Sequence, residues 1–361
     1  MQNGLRWRAR IRYLVLSALV VGLVASAATA AVKSQGQKRF VIGYAGAILS
    51  NPSVKANEDG VKAQAAKYGM EVVSTDANFN ASKQISDIDT LIQRGVDAIL
   101  MVPVNSQAVE PALQRARAKN IIVISREGEG RDPWTSAFNG TNFDSASAAA
   151  FFMAKRLGRG AKVAVIDGNP STGLLRARNE GFRDGAKKAG LDVVDSQVNF
   201  RDSADGARPI VDGWRAKYGS ALKGIFAYND PSAIGAASAA GGGFEPMIVG
   251  YNGTPEAIAA IKEGKIAATY DISSAEQGQA MAYMAYQLLT KKAKSCPKIV
   301  NVPFKRFDRQ NVGDWTPFED RVKTALPVAI VQKGDKAFML TGKAATQYRA
   351  KLKKRKLAVR C

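Results

Sequence analysis

Amide, carboxylate and guanidinium side chains recur at the ends of short apolar runs along this chain. Such groups form planar, often bidentate hydrogen bonds, which suit vicinal hydroxyl groups or a small carboxylate. Reversible binding of a small polar molecule is the chemistry that they indicate. The candidate binding residues are Asn51, Arg126, Glu127, Asp167, Arg178, Asn229, Asn252 and Asp271.

Common catalytic motifs are missing from the sequence. The chain contains no histidine, which excludes Ser-His-Asp and Cys-His catalysis and the usual zinc ligand sets. No GxGxxG motif follows the first apolar run, and no GxxxxGK(S/T) motif occurs anywhere. We therefore predict that the protein is not an enzyme and holds no cofactor or metal. An enzyme acting on a phosphorylated or nucleotide ligand is the alternative, and measurable turnover would support it.

Apolar runs of strand length alternate with amphipathic stretches of helical length. This alternation predicts βαβ units and a fold of class α/β, with two doubly wound, Rossmann-like parallel-sheet lobes in tandem. In open parallel sheets, ligands bind outside the carboxyl ends of the strands, where most of the candidate residues stand. An extended stretch at residues 299–307 is expected to return to the first sheet. The other predicted strands cover residues 40–45, 71–74, 98–102, 121–125, 162–166, 192–200, 224–228, 247–251 and 267–271.

The N-terminus has the order of a secretory signal peptide. Arginines at positions 6, 8, 10 and 12 precede an apolar run at residues 14–25, and small residues continue to Ala30. Ala28 and Ala30 fit an A-x-A cleavage rule, so residues 1–30 are predicted to be removed on export to the periplasm. An uncleaved membrane anchor is the alternative, but the apolar run is shorter than the roughly 20 residues that a spanning helix needs.

The C-terminal segment, residues 313–361, is predicted to be a basic appendage with a short strand at 327–332 and a helix near 344–357. The whole chain carries a formal net charge of +21, and eight basic residues without one acidic residue follow Thr341. A basic tail can bind nucleic acid or an anionic membrane. Export argues against nucleic acid as a partner, and a solvated charged terminus is the simpler interpretation.

Cys296 and Cys361 are the only cysteines in the sequence. An oxidising compartment would let them form a disulfide. Pairing requires Cα atoms within roughly 7 Å of each other, and the sequence leaves that distance open.

Five short motifs flank the predicted strands. Together they resemble the type I periplasmic binding proteins, and most of all the ribose-binding group of sugar receptors, over residues 40–312. The motifs are Asn51-Pro52, Gly95-Val96-Asp97-Ala98-Ile99, Arg176-x-Arg178-x-Glu180-Gly181-Phe182, Phe226-Ala227-Tyr228-Asn229-Asp230 and Val249-Gly250-Tyr251-Asn252-Gly253-Thr254-Pro255.

The resemblance implies two lobes joined by a three-strand hinge that close over a small ligand, a sugar or polyol. Residues 38–140 and 273–312 would form the N-terminal lobe, and residues 141–272 the C-terminal lobe. The protein would be a monomer that delivers its solute to the permease of an ABC transporter in the inner membrane. The alternative is a ligand-sensing or surface-interaction protein of the same fold that uses its basic tail. The resemblance also assigns five residues to the cleft: Asn51, Glu127, Arg178, Asn229 and Asn252.

Several positions depart from the family pattern. Ser53 and Val54 replace the aromatic pair that follows Asn-Pro in ribose receptors, so one sugar-stacking face is missing. Arg126 and Glu127 stand where an Asp-Arg pair is usual, and Asn252 replaces an aspartate. The solute is therefore left open among pentoses, hexoses, polyols and small acids.

Three aromatic residues at or near strand ends offer replacement stacking surfaces. They are Tyr44, Phe200 and Tyr228. Each of them is assigned to the core instead, because aromatic residues at the ends of buried strands usually pack there.

Overall fold

Two six-stranded sheets form the framework of the part of the chain that the structure describes. This computed structural model describes residues 39–126, 136–138, 141–333, 336–354 and Cys361. The predicted signal peptide, Glu127 and residues 355–360 lie outside the described residues. Within these ranges, no helix has both the length and the apolar character that crossing a membrane requires.

The first sheet consists of β1 (Val41–Gly46), β2 (Glu71–Asp76), β3 (Ala98–Met101), β4 (Ile122–Ser125), β5 (Ser136–Phe138) and β11 (Ile299–Val300). Its strands are all parallel, in the order β11-β5-β4-β3-β1-β2. Helices α1 (Pro52–Lys67), α2 (Ala81–Gln93), α3 (Ser106–Ala118) and α9 (Ser274–Leu289) cover it. Side chains alternate between the two faces, so Leu100 and Ile124 pack under α1 and α9, whereas Ile99 and Val123 pack under α2 and α3.

The second sheet consists of β6 (Lys162–Asp167), β7 (Asp192–Val198), β8 (Gly224–Ala227), β9 (Met247–Tyr251), β10 (Ala268–Asp271) and β12 (Lys305–Asp308). Its order is β12-β10-β9-β8-β6-β7, and β12 is antiparallel to its neighbour β10. The helices of this lobe are α4 (Asn142–Leu157), α5 (Gly173–Ala189), α6 (Ala204–Tyr218), α7 (Asp230–Ser238) and α8 (Pro255–Lys262). Two parallel-sheet lobes of class α/β, as predicted from the sequence, are thereby confirmed.

In the described part of the chain, three connections link the sheets: β5 to α4, β10 to α9, and β11 to β12. The stretch at residues 299–307, predicted to be one extended segment of the first sheet, is instead two short strands in different sheets. Val300 pairs with Phe138 of the first sheet, whereas Lys305 pairs with Asp271 of the second. The chain therefore leaves the first lobe after β5, returns to it at α9 and β11, and crosses again to the second lobe at β12.

Helices α1 and α9 touch backbone to backbone. A Cβ atom on Gly60 would overlap the carbonyl oxygen of Ala275, and one on Gly278 would overlap that of Asn57. Glycine is required at both positions because no side chain fits between the helices. This close approach brings the N-termini of the two helices, and the loops before them, to the same end of the first sheet.

The C-terminal extension packs onto the first lobe. Its hairpin, β13 (Val328–Lys333) and β14 (Lys336–Thr341), precedes helix α11 (Gly342–Lys354). Asn301 joins the hairpin to the polypeptide after β11, because its N–H donates to Ala337 O at 2.8 Å and its carbonyl accepts from Met339 N at 2.9 Å. A disulfide links Cys296 to Cys361, whose Cα atoms are 5.3 Å apart. The extension is thus part of the folded body.

The segment before the hairpin, which includes the short helix α10 (Phe318–Val322), contacts both lobes. Trp315 Nε1 donates to Gly253 O of the second lobe at 3.0 Å. Phe318 is buried with Ala56 and Ala275 of the first lobe. This segment therefore spans the two lobes beside the connection from β10 to α9.

Candidate functional site

A polar cavity lies between the two lobes, at the carboxyl ends of their strands. The space between its lining residues that no protein atom fills is about 460 Å³, a figure that includes the part open to solvent. Its lining residues follow strands of both sheets or lie in the helices that come next. They include Asn51, Ser53, Phe79, Val102, Arg126, Thr172, Arg178, Asp202, Tyr228, Asn229 and Asn252.

Two asparagines, one from each lobe, aim amide donors into this cavity. Asn51 caps α1, because its Oδ1 accepts from the backbone N–H of Ser53 at 3.0 Å. Asn229 caps α7 in the same way through the N–H of Ser232 at 2.9 Å. Each cap fixes the carboxamide through its oxygen, so that Nδ2 donates to a second acceptor at the cavity. The two N-caps therefore also serve as oriented hydrogen-bond donors.

Asp202 places a carboxylate between these two donors. Its Oδ2 accepts from Asn51 Nδ2 at 3.0 Å, and its Oδ1 accepts from Asn229 Nδ2 at 2.7 Å. The Tyr228 hydroxyl donates to the same Oδ1 at 2.6 Å. Burial raises the pKa of Asp202, and the donors on Tyr228 and Asn51 and the charge of Arg178 oppose that rise. Asp202 thus joins the two lobes at the centre of the site.

Arg178 supplies the positive charge of the second lobe's side of the cavity. Its Nη1 donates to Tyr228 O at 2.6 Å, and its Nη2 donates to Asn142 Oδ1 at 2.9 Å. The guanidinium lies 3.8 Å from the ring centroid of Tyr251, in cation–π contact. Because these contacts hold the guanidinium plane on several sides, Arg178 is fixed before any solute arrives.

Arg126 holds the corresponding position in the first lobe. Its Nη2 donates to Ser53 Oγ at 2.9 Å and to Ser274 Oγ at 2.8 Å. Asn252, from the second lobe, donates its Nδ2 to the same Ser53 oxygen at 3.2 Å. Ser53, which stands where ribose receptors carry an aromatic residue, therefore places a hydroxyl group in a polar junction between the lobes.

A buried aspartate supports the floor of the second lobe's half of the site. Asp230 is fully buried, and its Oδ1 accepts from Thr269 Oγ1 at 2.7 Å while its Oδ2 accepts from Thr254 N at 2.8 Å. Burial raises the pKa of Asp230 to about 6, and the hydrogen bonds from Thr254 and Thr269 oppose the rise. Asp230, the residue after Asn229, thus links the start of α7 to the loop after β9 and to Thr269 of β10.

Asp230 makes stability depend on pH in a defined direction. Because its folded-state pKa is raised from 3.8 to about 6, the folded protein binds this proton more tightly than the unfolded chain does. Relative to Asp230→Asn, we expect the wild-type free energy of unfolding to fall by about 2 kcal/mol as pH rises from about 4 to about 7. Urea titrations of both proteins across this range measure the difference.

The Asp230→Asn variant is a fair reference for this prediction. An asparagine in this place keeps an oxygen that accepts from Thr254 N and an amide that can donate to the Thr269 hydroxyl. Asp202 and Glu276, whose pKa values burial also raises, are present in both proteins and cancel in the difference. Parallel pH profiles for the two proteins would contradict the prediction.

The structure brings five of the eight sequence-predicted residues together in the cavity lining. These are Asn51, Arg126, Arg178, Asn229 and Asn252. Glu127 lies outside the described residues. The five come from both lobes, so their grouping depends on how the two sheets face each other.

Two predicted positions, Asp167 and Asp271, require a correction, because neither lines this cavity. Asp167 accepts from Arg183 Nη1 at 2.8 Å. Asp271 accepts from Arg321 Nη2 at 2.6 Å. Both carboxylates stand at the carboxyl ends of strands, as the prediction required, but each pairs with an arginine outside the cavity.

Asp202 was not among the predicted residues, although it accepts hydrogen bonds from the lining residues Asn51, Tyr228 and Asn229. It lies in the loop after β7, so the rule that ligands collect at the carboxyl ends of strands would have included it. Strand β7 ends at Val198 rather than at residue 200, and Phe200 is therefore 66% exposed. The assignment of Phe200 to the core was wrong for this reason. Tyr44 is buried as expected, whereas Tyr228 is buried and also lines the cavity.

Two parallel-sheet lobes with a polar cavity between the carboxyl ends of their strands define a two-lobed α/β binding protein. Residues 25–293 match the family model of the periplasmic binding protein domain. The chain belongs to the periplasmic binding protein family, as its motifs predicted.

Curated relatives agree with this family over most of their length. The ribose import binding protein of Bacillus subtilis strain 168 is 32% identical over 275 residues, which cover 75% of this chain and 88% of the relative. The ribose import binding protein of Escherichia coli strain K12 is 31% identical over 255 residues, covering 70% and 85%. The xylitol-binding protein of Mycolicibacterium smegmatis is 29% identical over 224 residues, covering 60% and 63%.

Solved structures share the fold. The Caulobacter myo-inositol binding protein, bound to myo-inositol, superposes with a TM-score of 0.70 at 24% identity, covering 79% of this chain and 98% of that one. A periplasmic solute-binding protein from Actinobacillus succinogenes with bound D-allose gives a TM-score of 0.70 at 22% identity, covering 77% and 100%. At these identities, the similarity supports the fold alone.

Proposed function

We propose that this protein is the solute-binding component of an ABC importer and that it captures a sugar or polyol between its two lobes. The observation that carries the proposal is the pair of N-cap asparagines, Asn51 and Asn229, which donate from opposite lobes to the same carboxylate, that of Asp202. Relatives named for binding ribose or xylitol support the same class of solute. Export to the periplasm and a monomeric state are parts of this proposal.

The chemistry of the cavity fits a neutral molecule with several hydroxyl groups. A hydroxyl group both donates and accepts, and the cavity offers Asn51, Asn229 and two arginines as donors and Asp202 as an acceptor. The half-buried carboxylate of Asp202 faces two guanidinium groups in this lining, so the excess of positive charge would also suit a small acid. Hydrogen bonds from these groups would therefore select the solute, and Phe79 and Tyr228, which also line the cavity, offer aromatic surface to it.

Binding would act through closure of the lobes about the three connections between the sheets. In an open form, the donors of the two lobes separate, and the solute can enter or leave. In the closed form, the donors of both lobes contact the solute, so the bound solute stabilises the closed form over the open form. The closed, loaded form would then dock on the membrane permease.

A thermal-shift screen of the chain without residues 1–30 tests the proposal. Pentoses, hexoses, polyols, nucleosides and small carboxylates would be added one at a time. A solute at about 100 times its dissociation constant stabilises the folded state by about 2.7 kcal/mol. Stabilisation by a sugar or polyol is the expected result, and stabilisation only by a nucleoside or carboxylate would overturn the proposed solute class.

Asn229→Ala should weaken solute binding by about 2 kcal/mol, because a donor that points into a desolvated site is lost. The same substitution also removes a helix cap. Asn80→Ala is the matched control, since Asn80 caps α2 through Lys83 N at 2.9 Å and is exposed. Calorimetric titration with the solute from the screen should show weaker binding for the first variant and wild-type binding for the second. Equal affinity in both variants would refute this role of Asn229.

A further inference from the structure

Two segments that are far apart in sequence are both rich in lysine and lie next to each other in the fold. The first is the loop at residues 291–298, which follows α9, and the second is helix α11. Neither contains an aspartate or glutamate. Their exposed lysines are Lys291, Lys292, Lys294, Lys298, Lys343, Lys351, Lys353 and Lys354. We call this set the basic face.

Two tyrosines on α9 hold the segments side by side. Arg349 of α11 lies over the ring of Tyr283, at 4.8 Å from its centroid. Lys292 of the loop lies over the ring of Tyr286, at 4.5 Å. Tyr283 and Tyr286 are three residues apart and so project from the same side of α9. The disulfide between Cys296 and Cys361 adds a covalent link between the loop and the C-terminal extension.

Helix α11 is amphipathic in a particular way. Ala345 is fully buried and Leu352, seven residues later, is half-buried, which defines the side that packs on the protein. Lys343, Lys351 and Lys354 are exposed and recur at the spacing of a single helical face. The outward side of the helix is therefore cationic.

We propose that the basic face binds the anionic headgroups of a phospholipid membrane. Lysine is depleted at protein–protein interfaces, where aromatic residues, methionine and arginine dominate. A lysine ammonium group is a hydrated point charge on a flexible stem, which suits a diffuse anionic surface better than a shaped pocket. The contact would be electrostatic and reversible, because the exposed charges of this face are not accompanied by an apolar anchor on the same turns of α11.

This inference is independent of the proposed function, since lipid binding is measured without any solute. Together with the proposed function, lipid binding has a physical consequence. A receptor that rests on the membrane surface searches for its permease in two dimensions instead of three. Binding of this kind should be strong at low ionic strength and weak at high ionic strength, because charges more than a Debye length apart are screened.

Flotation of the chain without residues 1–30 on phosphatidylglycerol vesicles and on phosphatidylcholine vesicles tests the proposal. We expect binding to the anionic vesicles only. In the quadruple variant Lys343→Gln, Lys351→Gln, Lys353→Gln, Lys354→Gln, we expect the partition coefficient at low salt to fall by about 100-fold or more, since each lysine near an anionic surface strengthens binding roughly fivefold. Glutamine keeps the helix propensity of lysine, so α11 should persist.

The matched control removes four exposed lysines elsewhere: Lys119→Gln, Lys162→Gln, Lys187→Gln and Lys223→Gln. It has the same net charge as the first variant and should bind anionic vesicles nearly as well as the wild type. Equal loss in both variants would show that only net charge matters and would overturn the assignment to the basic face. Equal binding to both lipids, or binding to duplex DNA but not to phosphatidylglycerol, would overturn the assignment to anionic lipid. Unchanged melting temperatures verify that both variants are folded.

Discussion

Arg178→Ala is expected to weaken solute binding by about 3 kcal/mol, which is a loss of more than 100-fold in affinity. Arg178 is 2% exposed and contacts Tyr228, Asn142 and the ring of Tyr251. Its removal takes a donor from the buried carbonyl of Tyr228 and removes a positive charge that acts on the Asp202 carboxylate. Calorimetric titration with the solute gives the affinity, and thermal unfolding gives the accompanying loss of stability.

Two further variants separate binding from folding in this experiment. Arg178→Lys keeps the charge but not the planar fork or the stacking on Tyr251, so its affinity should lie between those of the wild type and Arg178→Ala. Arg183→Ala removes an arginine from the same helix that pairs with Asp167 outside the cavity. It should bind solute like the wild type. Wild-type affinity in Arg178→Ala would place the solute elsewhere.

Loss of the disulfide is expected to destabilise the C-terminal extension by about 4 kcal/mol. The magnitude follows from the entropy of closing a loop, and 65 residues separate Cys296 from Cys361. The double variant Cys296→Ser, Cys361→Ser should therefore become sensitive to proteolysis within the hairpin and α11 at denaturant concentrations that the wild type resists. Guanidinium titrations with fragment analysis measure the shift.

Reductant provides the control for the disulfide. It should lower the resistance of the wild type to that of the double variant and leave the double variant unchanged. The core of the first lobe, which includes Val300 and Val302 next to the hairpin residues Ile330 and Met339, should lose stability less than the extension does. A wild type that is indifferent to reductant would contradict the prediction.

The fold could be predicted because its signals are local. Alternating strands and helices of ordinary length appear in the sequence as short apolar runs that alternate with longer amphipathic stretches. The division of residues 299–307 between two sheets could not be predicted, because it depends on pairing with Phe138 and Asp271. Pairing across such distances leaves no pattern within the strand itself.

The binding site could be predicted in part for the same reason. Asn51, Arg126 and Asn252 follow strands, and the topology alone brings strand ends together. Asp167 and Asp271 also stand at strand ends, but they form ion pairs with Arg183 and Arg321 outside the cavity. Arg321 is fifty residues from Asp271 in the sequence. It lies in a segment whose sequence shows no clear strand or helix periodicity. The pairing is therefore visible only in the folded structure.

The nesting of one lobe inside the other has a consequence for how the chain folds. The second lobe, apart from β12, is continuous from α4 to β10, whereas the first lobe needs α9 and β11, which come after it. A chain that emerges in sequence order can therefore complete most of the second lobe while the first still lacks two of its parts. Until α9 arrives, the side of α1 that carries Gly60 stays uncovered. The lobe whose synthesis begins first thus stays incomplete until most of the second lobe has formed, and its exposed helix is the surface that a chaperone would have to protect.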